Sequence, residues 1–251
     1  MPKVRTYLLG ANRWLASDQW PLPGGEKYSL HLDSGGNANS RFGDGLLSGK
    51  QPEGERPADR FVSDPASPVP SVGGPCCTRS IFRDQSAVES RRDVLVYSTT
   101  PLSHGAAIIG DIDVVLYVSV SSPDADIALK LVHVHPDGRA FNLSDTIFRL
   151  RYRDSFDQPK PLVPGEVVRV EIKGLATSNY WELGHQLRLE IAGSNFPNYE
   201  RNLQTGGNNF DETTPQAATI TVLHDREHPS HLTFTTYGDK ELEKLRAQER
   251  R

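Results

Sequence analysis

The sequence predicts one all-β domain, a jelly roll or β-sandwich with long ordered loops and a short helical or frayed tail. Three observations carry this expectation. Apolar residues recur with a period of two, the repeat of a strand with one face buried. Glycine and proline, 21 and 18 of the 251 residues, break the chain into short runs. Helical periodicity is nearly absent before residue 239, so nothing alternates strand with helix as a parallel α/β sheet requires.

The elements follow in order. Residues 4–9 and 28–32 are strand-like and are separated by the turn signal Pro21-Leu22-Pro23-Gly24-Gly25. Two loops come next, over 34–49 and 51–80. The second contains Asp64-Pro65, Ser67-Pro68 and Val69-Pro70, which hold the chain extended. Strands are expected at 94–98 and 108–122. In the latter, Ile108, Ile112, Val114, Leu116, Val118 and Val120 share one parity, and Asp111, Asp113 and Ser119 hold the other. Residues 127–134 are apolar on both parities, which predicts a central strand covered on both faces. A turn at Pro136-Asp137-Gly138 precedes a strand at 147–152. After Pro164-Gly165, Val168, Val170 and Ile172 alternate with Arg169, Glu171 and Lys173. Leu187, Leu189 and Ile191 alternate with Gln186, Arg188 and Glu190, and after Gly206-Gly207 the last strands fall at 219–223 and 232–235. Residues 1–238 are thus read as one domain, and the polar 239–251 as an exposed helix or frayed tail.

Composition narrows the partners. A net charge of −4 gives no footprint for nucleic acid, and no apolar run approaches the roughly 20 residues that span a bilayer. The opening MPKVRTYLLGANRW has no signal-peptide h-region, which makes the cytoplasm the expected compartment. The two cysteines, Cys76 and Cys77, are adjacent and are read as loop thiols outside any disulfide framework. The sequon Asn142-Leu143-Ser144 is read as chance.

Chemistry is sparse. An α/β-hydrolase nucleophile sits in G-x-S-x-G between a strand and a helix. No such elbow occurs, and Ser34 and Ser194 lie in segments lacking the first glycine. Phosphate-loop and dinucleotide fingerprints are missing too, so neither a catalytic residue nor a cofactor is assigned. His133 and His135, two apart on a strand, share a face as do metal ligands of cupin jelly rolls. However, Arg139 stands where a cupin needs glutamate, and Pro136 turns the chain away. They are read as strand-end histidines, and no metal site is assigned. His224, His228 and His231 are read as loop histidines bonded locally, because Pro229 breaks any helix that would align them. Asp33, Asn37, Asn39 and Asp44 do not follow a calcium-loop pattern and suit Asx-turns. Trp14, Trp20 or Trp181 could supply the aromatic platform of a stand-alone carbohydrate-binding module, the alternative reading. Trp14 and Trp20 equally suit burial against a neighbouring domain.

Several runs together resemble one family. They are Leu9-Gly10-Ala11-Asn12-Arg13-Trp14 with Trp20-Pro21-Leu22-Pro23, Ser34-Gly35-Gly36-Asn37-Ala38-Asn39-Ser40, and Arg92-Asp93-Val94-Leu95-Val96-Tyr97-Ser98. His135-Pro136-Asp137-Gly138-Arg139-Ala140-Phe141-Asn142-Leu143, Ser194-Asn195-Phe196-Pro197 and His228-Pro229-Ser230-His231-Leu232 continue in family order, over about residues 5–235. They resemble the C-terminal non-catalytic domain of the X-Pro dipeptidyl-peptidase and cocaine-esterase family. The resemblance implies a galactose-binding-like jelly roll packed on an upstream α/β-hydrolase domain that carries the catalytic triad. It makes Trp14, Trp20, Gly73, Gly74, Pro75, Cys76 and Cys77 pocket-lining or interdomain candidates. The loop 73–80 is the part expected to approach the acyl pocket, although Cys76 and Cys77 depart from the family pattern. An apolar docking face freed of its partner is also expected to favour a homodimer.

Overall fold

The computed structural model describes residues 2–74 and 80–249. Its strands are β1 (Val4–Leu8), β2 (Arg13–Ser17), β3 (Glu26–Asp33), β4 (Leu46–Ser48), β5 (Asp59–Ser63), β6 (Val94–Ser98), β7 (Ala106–Val120), β8 (Asp126–Val134), β9 (Ala140–Arg149), β10 (Val167–Trp181), β11 (Gln186–Ala192), β12 (Ala218–Leu223) and β13 (His231–Tyr237). One α-helix, α1 (Asp239–Glu249), follows them. The all-β sandwich expectation holds.

The strands form a small β1–β2 hairpin and one long ribbon in the order β5-β12-β7-β13-β3-β4-β6-β11-β8-β9, with β10 paired to β7. The ribbon crosses from one layer to the other at β4 and β6, joined by the single parallel pair Leu46 and Ser98. Its far end returns to β10, where Thr146 on β9 donates to the Lys173 carbonyl at 3.2 Å. The main core is filled by one parity of each long strand: Ile112, Val114, Leu116 and Val118 from β7, Ile127, Leu129 and Leu131 from β8, and Leu187, Leu189 and Ile191 from β11.

The central strands are covered on their second faces as well. Every residue of β8 is buried, as its apolar residues on both parities predict. The segment before β6 lies over its outer side: Lys130 of β8 donates to Gln85 Oε1 at 3.0 Å, and Arg188 of β11 pairs with Glu89 at 2.7 Å. Ala107 and Ile109, on the outer face of β7, pack in a second core with Leu8, Leu15 and Leu22.

The C-terminal segment belongs to this second core. Its sequence suggests an exposed helix or a frayed end, but Leu242 and Leu245, three apart on α1, are both buried in it. Two leucines at helical spacing suffice to seat a helix whose other positions are polar.

Other differences have local causes. β5 lies inside the segment read as loop 51–80. Its alternation is complete, but Asp59 and Ser63 are two of its three buried residues, so hydropathy hides it. β10 continues to Trp181 beyond a register shift between Ile172 and Leu175, where Gly174 takes φ +102°. The extra residue moves the inward set from Val170 and Ile172 to Leu175 and Trp181. β9 starts at Ala140, before the expected residue 147, and the chain leaves it through a 3₁₀ turn, Leu150–Tyr152.

Truncating Leu242 to alanine should lower the unfolding free energy by about 2–4 kcal/mol, the usual cost of emptying a buried leucine site. Lys240→Ala, at an exposed position of the same helix, should stay within about 0.5 kcal/mol. Urea unfolding of both variants checks this, and equal effects would contradict the packing of α1.

Candidate functional site

A serine, a histidine and an aspartate do meet in this fold. Ser34 follows β3, Asp59 opens β5 and His224 follows β12. Ser34 Oγ donates to Asp59 Oδ2 at 2.6 Å, and His224 Nε2 lies 2.9 Å from the same oxygen and 3.1 Å from Ser34 Oγ. The Tyr97 hydroxyl donates to Asp59 Oδ2 at 2.6 Å, and the Ala38 amide donates to Oδ1 at 2.7 Å.

The wiring is not that of a nucleophile. A triad uses one imidazole nitrogen to take the serine proton and the other to meet the carboxylate. Here a single nitrogen faces both groups, while Nδ1 is buried without a hydrogen-bond partner. The serine proton already points at the carboxylate. Asp59, Tyr97 and His224 are completely buried, so no substrate reaches them. The group is a structural knot that ties β5, β6 and the segments after β3 and β12 to one carboxylate.

Burial alone would raise the pKa of Asp59, but hydrogen bonds from His224, Ser34, Tyr97 and the Ala38 amide outweigh it and hold the pKa below 3.8. Burial, with the neighbouring Asp59 charge, pushes Tyr97 well above its ordinary value.

The candidates on the surface are placed differently. Trp14 on β2 is 45% exposed and stands edge-to-face on Tyr7 of β1 at 5.3 Å, with the Arg5 guanidinium 5.2 Å over its ring. Leu8 and Leu15, their chain neighbours, point into the second core. Tyr7 and Trp14 therefore form the outer side of the hairpin. Trp20 is 51% exposed. Trp181 is buried, against His133 and an apolar cleft of about 410 Å³ lined also by Leu30, Ile108 and Phe234. It cannot serve as an exposed sugar platform, so only Trp14 and Trp20 remain as candidates for that reading.

Gly73 and Gly74 are buried, with φ of +76° and +100°. The Gly74 amide donates to the Ile81 carbonyl at 2.9 Å, closing the base of the loop. Asn198 donates to the Gly73 carbonyl at 3.0 Å, and Asn142 donates to the Ile81 carbonyl at 2.9 Å. Asn142 is buried in this role, which leaves no room for a glycan on the sequon. Pro75, Cys76 and Cys77 lie outside the described residues.

The histidine and oxygen-ligand candidates divide. His228 bonds to Asp225, His231 donates to the Pro229 carbonyl, and neither meets His224. Asp33 pairs with Arg56, Asp44 accepts the Gly35 amide, and the Asn39 side chain donates to the Arg60 and Arg92 carbonyls, so the calcium set does not converge. His133 and His135 do come together, and His185, not singled out in the sequence, joins them. Burial, then the neighbouring His135 and His185, lowers His133 to about 3. Among the described residues no helix is long and apolar enough to cross a membrane.

The knot gives a pH prediction. A carboxylate with a native pKa below its unfolded value stabilises fully above the unfolded value, and that contribution disappears as pH falls through the native one. Asp59→Asn, which puts an amide donor among three donors, should cost about 2–4 kcal/mol at pH 7. The gap to the wild type should shrink as pH drops below about 4. Thermal unfolding from pH 7 to pH 3 checks this, and a constant gap would contradict an ionised knot.

Comparison with known proteins agrees with this architecture. The family described as X-Pro dipeptidyl-peptidase C-terminal non-catalytic domain matches residues 1–233. The cocaine esterase of Rhodococcus sp. (strain MB1 Bresler) is 39% identical over 237 residues, covering 92% of this chain and 41% of the esterase. An aminopeptidase from a marine-sediment Thaumarchaeota archaeon superposes with a TM-score of 0.84 at 32% identity, over 95% of this chain and 41% of that one. An α-amino acid ester hydrolase gives 0.83 at 32% identity, over 94% and 41%. The chain thus spans about two-fifths of the length of these relatives. On these matches, the chain belongs to the family of X-Pro dipeptidyl-peptidase C-terminal non-catalytic domains.

Proposed function

We propose that the chain is the accessory C-terminal domain of a serine hydrolase of the acyl-esterase or X-Pro dipeptidyl-peptidase type, that it packs on an α/β-hydrolase domain, and that it helps to wall the acyl pocket. The observation that carries this reading is the match over 92% of this chain to only 41% of a cocaine esterase. The corresponding part of such an enzyme is a domain beside a larger remainder. The missing nucleophile elbow and the buried wiring of Ser34 support the same reading, since both fit a chain that leaves chemistry to a partner.

The outer side of the β1–β2 hairpin supports the docking role. Tyr7 and Trp14 on that side, and Trp20 in the segment after β2, expose aromatic area that hydrophobic burial favours covering. The wall role is assigned to the loop that starts at Gly73 and Gly74. Its base is fixed by Asn142, Asn198 and the Ile81 carbonyl, which is what a rigid pocket edge needs.

The docking role is tested with the α/β-hydrolase domain of a full-length relative supplied in trans. The chain should bind it and raise its kcat/KM for p-nitrophenyl acetate. Trp14→Ala with Trp20→Ala should weaken binding at least about tenfold and reduce self-association of the isolated chain in sedimentation. Binding unchanged in the double variant would contradict this docking face.

For the wall role, a Cβ at Gly74 would fall 2.5 Å from Asn198 Nδ2 and 3.0 Å from Asp145 Oδ2, at a φ that disfavours side chains. Gly74→Ala in the joined enzyme should lower kcat/KM for bulky acyl esters by about tenfold, or about 1.4 kcal/mol. Gly54→Ala, facing open space, should leave it unchanged, and equal kinetics for the two variants would contradict the wall.

A further inference from the structure

We propose that His133, His135 and His185 form a binding site for one divalent transition-metal ion of the zinc type at the end of the sandwich. Strand register brings them together. β11 runs antiparallel to β8 with Leu187 opposite His133 and Gln186 opposite Val134. The next step places His185 opposite His135, just past the end of β8. His133 and His135, two apart, share a face, so all three imidazoles meet on one side of the sheet.

The geometry is that of a ligand set. One nitrogen from each histidine lies within 4.8 Å of the others, and the three ring centroids are 4.8–4.9 Å apart. Tetrahedral zinc with nitrogen ligands at about 2.0–2.1 Å spaces those nitrogens by about 3.3 Å. His133 Nε2 and His185 Nδ1 are 2.6 Å apart, so a small opening of the pair seats an ion between them.

The outer contacts fit the same role. Metal-bound imidazoles usually place their remaining ring nitrogen against a carbonyl or carboxylate. The side-chain amide of Asn179 lies 3.2 Å from His133 Nδ1, and a Glu182 carboxylate oxygen lies 3.8 Å from His185 Nε2. With the Asn179 amide turned so that its oxygen faces the ring, His133 Nδ1 donates to it and Nε2 is free to coordinate. His135 is only partly buried, which leaves the ion an approach and a fourth position for water.

The donor set decides the class of ion. Three neutral imidazoles suit zinc, cobalt, nickel or copper, whereas calcium and magnesium prefer oxygen. The nearby charges do not oppose binding: Arg139 is paired with Asp137 at 2.7 Å, and Glu182 lies alongside. The alternative arrangement is a metal-free chain of hydrogen bonds from Asn179 through His133 to His185. The two arrangements are distinguished by titration.

Untagged chain with Cys76→Ser and Cys77→Ser, to remove thiol ligands, is titrated with Co²⁺ and then Zn²⁺. The expected result is one equivalent bound, visible bands of four-coordinate Co²⁺ that Zn²⁺ bleaches, and a raised Tm with Zn²⁺. His135→Ala, at a partly exposed site, should keep the metal-free Tm, weaken binding at least about hundredfold and abolish the Zn²⁺-dependent shift. His228→Ala, remote from the cluster, should bind like its parent. Failure to bind Co²⁺ or Zn²⁺, or binding that survives His135→Ala, would overturn the site.

Discussion

The constraint on which this fold depends is that its central strands are buried on both faces. A sheet with one wet face needs only a partner layer. β8 is buried along its whole length, and the outer face of β7 carries Ala107 and Ile109 into a second core. The domain therefore has to supply outer covers. The β1–β2 hairpin and α1 cover one face, and the segment before β6 covers the other through Gln85 and Glu89. Long loops are thus parts of the packing rather than excursions from it. The Asp59 knot serves the same end, holding the segments after β3 and β12 against β5 and β6 with one carboxylate.

This constraint also decided what could be read from the sequence. Strands with one apolar parity, such as β7 and β11, were legible because alternate burial leaves alternate residues polar. β8 was legible as central because both its parities are apolar. β5 was not, since Asp59 and Ser63 occupy inward positions that hydropathy scores as exposed. The second half of β10 was hidden by the bulge at Gly174, which shifts the inward parity midway. The packing of α1 rests on only two leucines in a polar run. The histidine cluster was half legible: spacing pairs His133 with His135, but His185 lies 50 residues further on and joins them only through the β8–β11 register. Of the loop 73–80, the family pattern marked Gly73 and Gly74, and the structure adds the anchors Asn142, Asn198 and Ile81.

Function follows from what the covers leave open. The side chains buried around Asp59 include a serine and a histidine, yet their wiring stabilises the fold and offers no nucleophile. The places proposed to meet a partner are the aromatic side of the β1–β2 hairpin, the loop that starts at the buried Gly73 and Gly74, and the sandwich end where three imidazoles converge. The first two are the parts proposed to shape a neighbour's pocket, in keeping with a chain that spans two-fifths of the length of its hydrolase relatives. The third is independent of that role and lies at a strand end that the same β8–β11 pairing builds.

The most direct measurement of the central claim is turnover of p-nitrophenyl acetate and of an Ala-Pro anilide by the purified, metal-free chain alone. No hydrolysis of either above background is expected, with activity residing in the proposed partner α/β-hydrolase domain. Hydrolysis abolished by a serine-directed fluorophosphonate would contradict it, because it would require a nucleophilic serine within this chain.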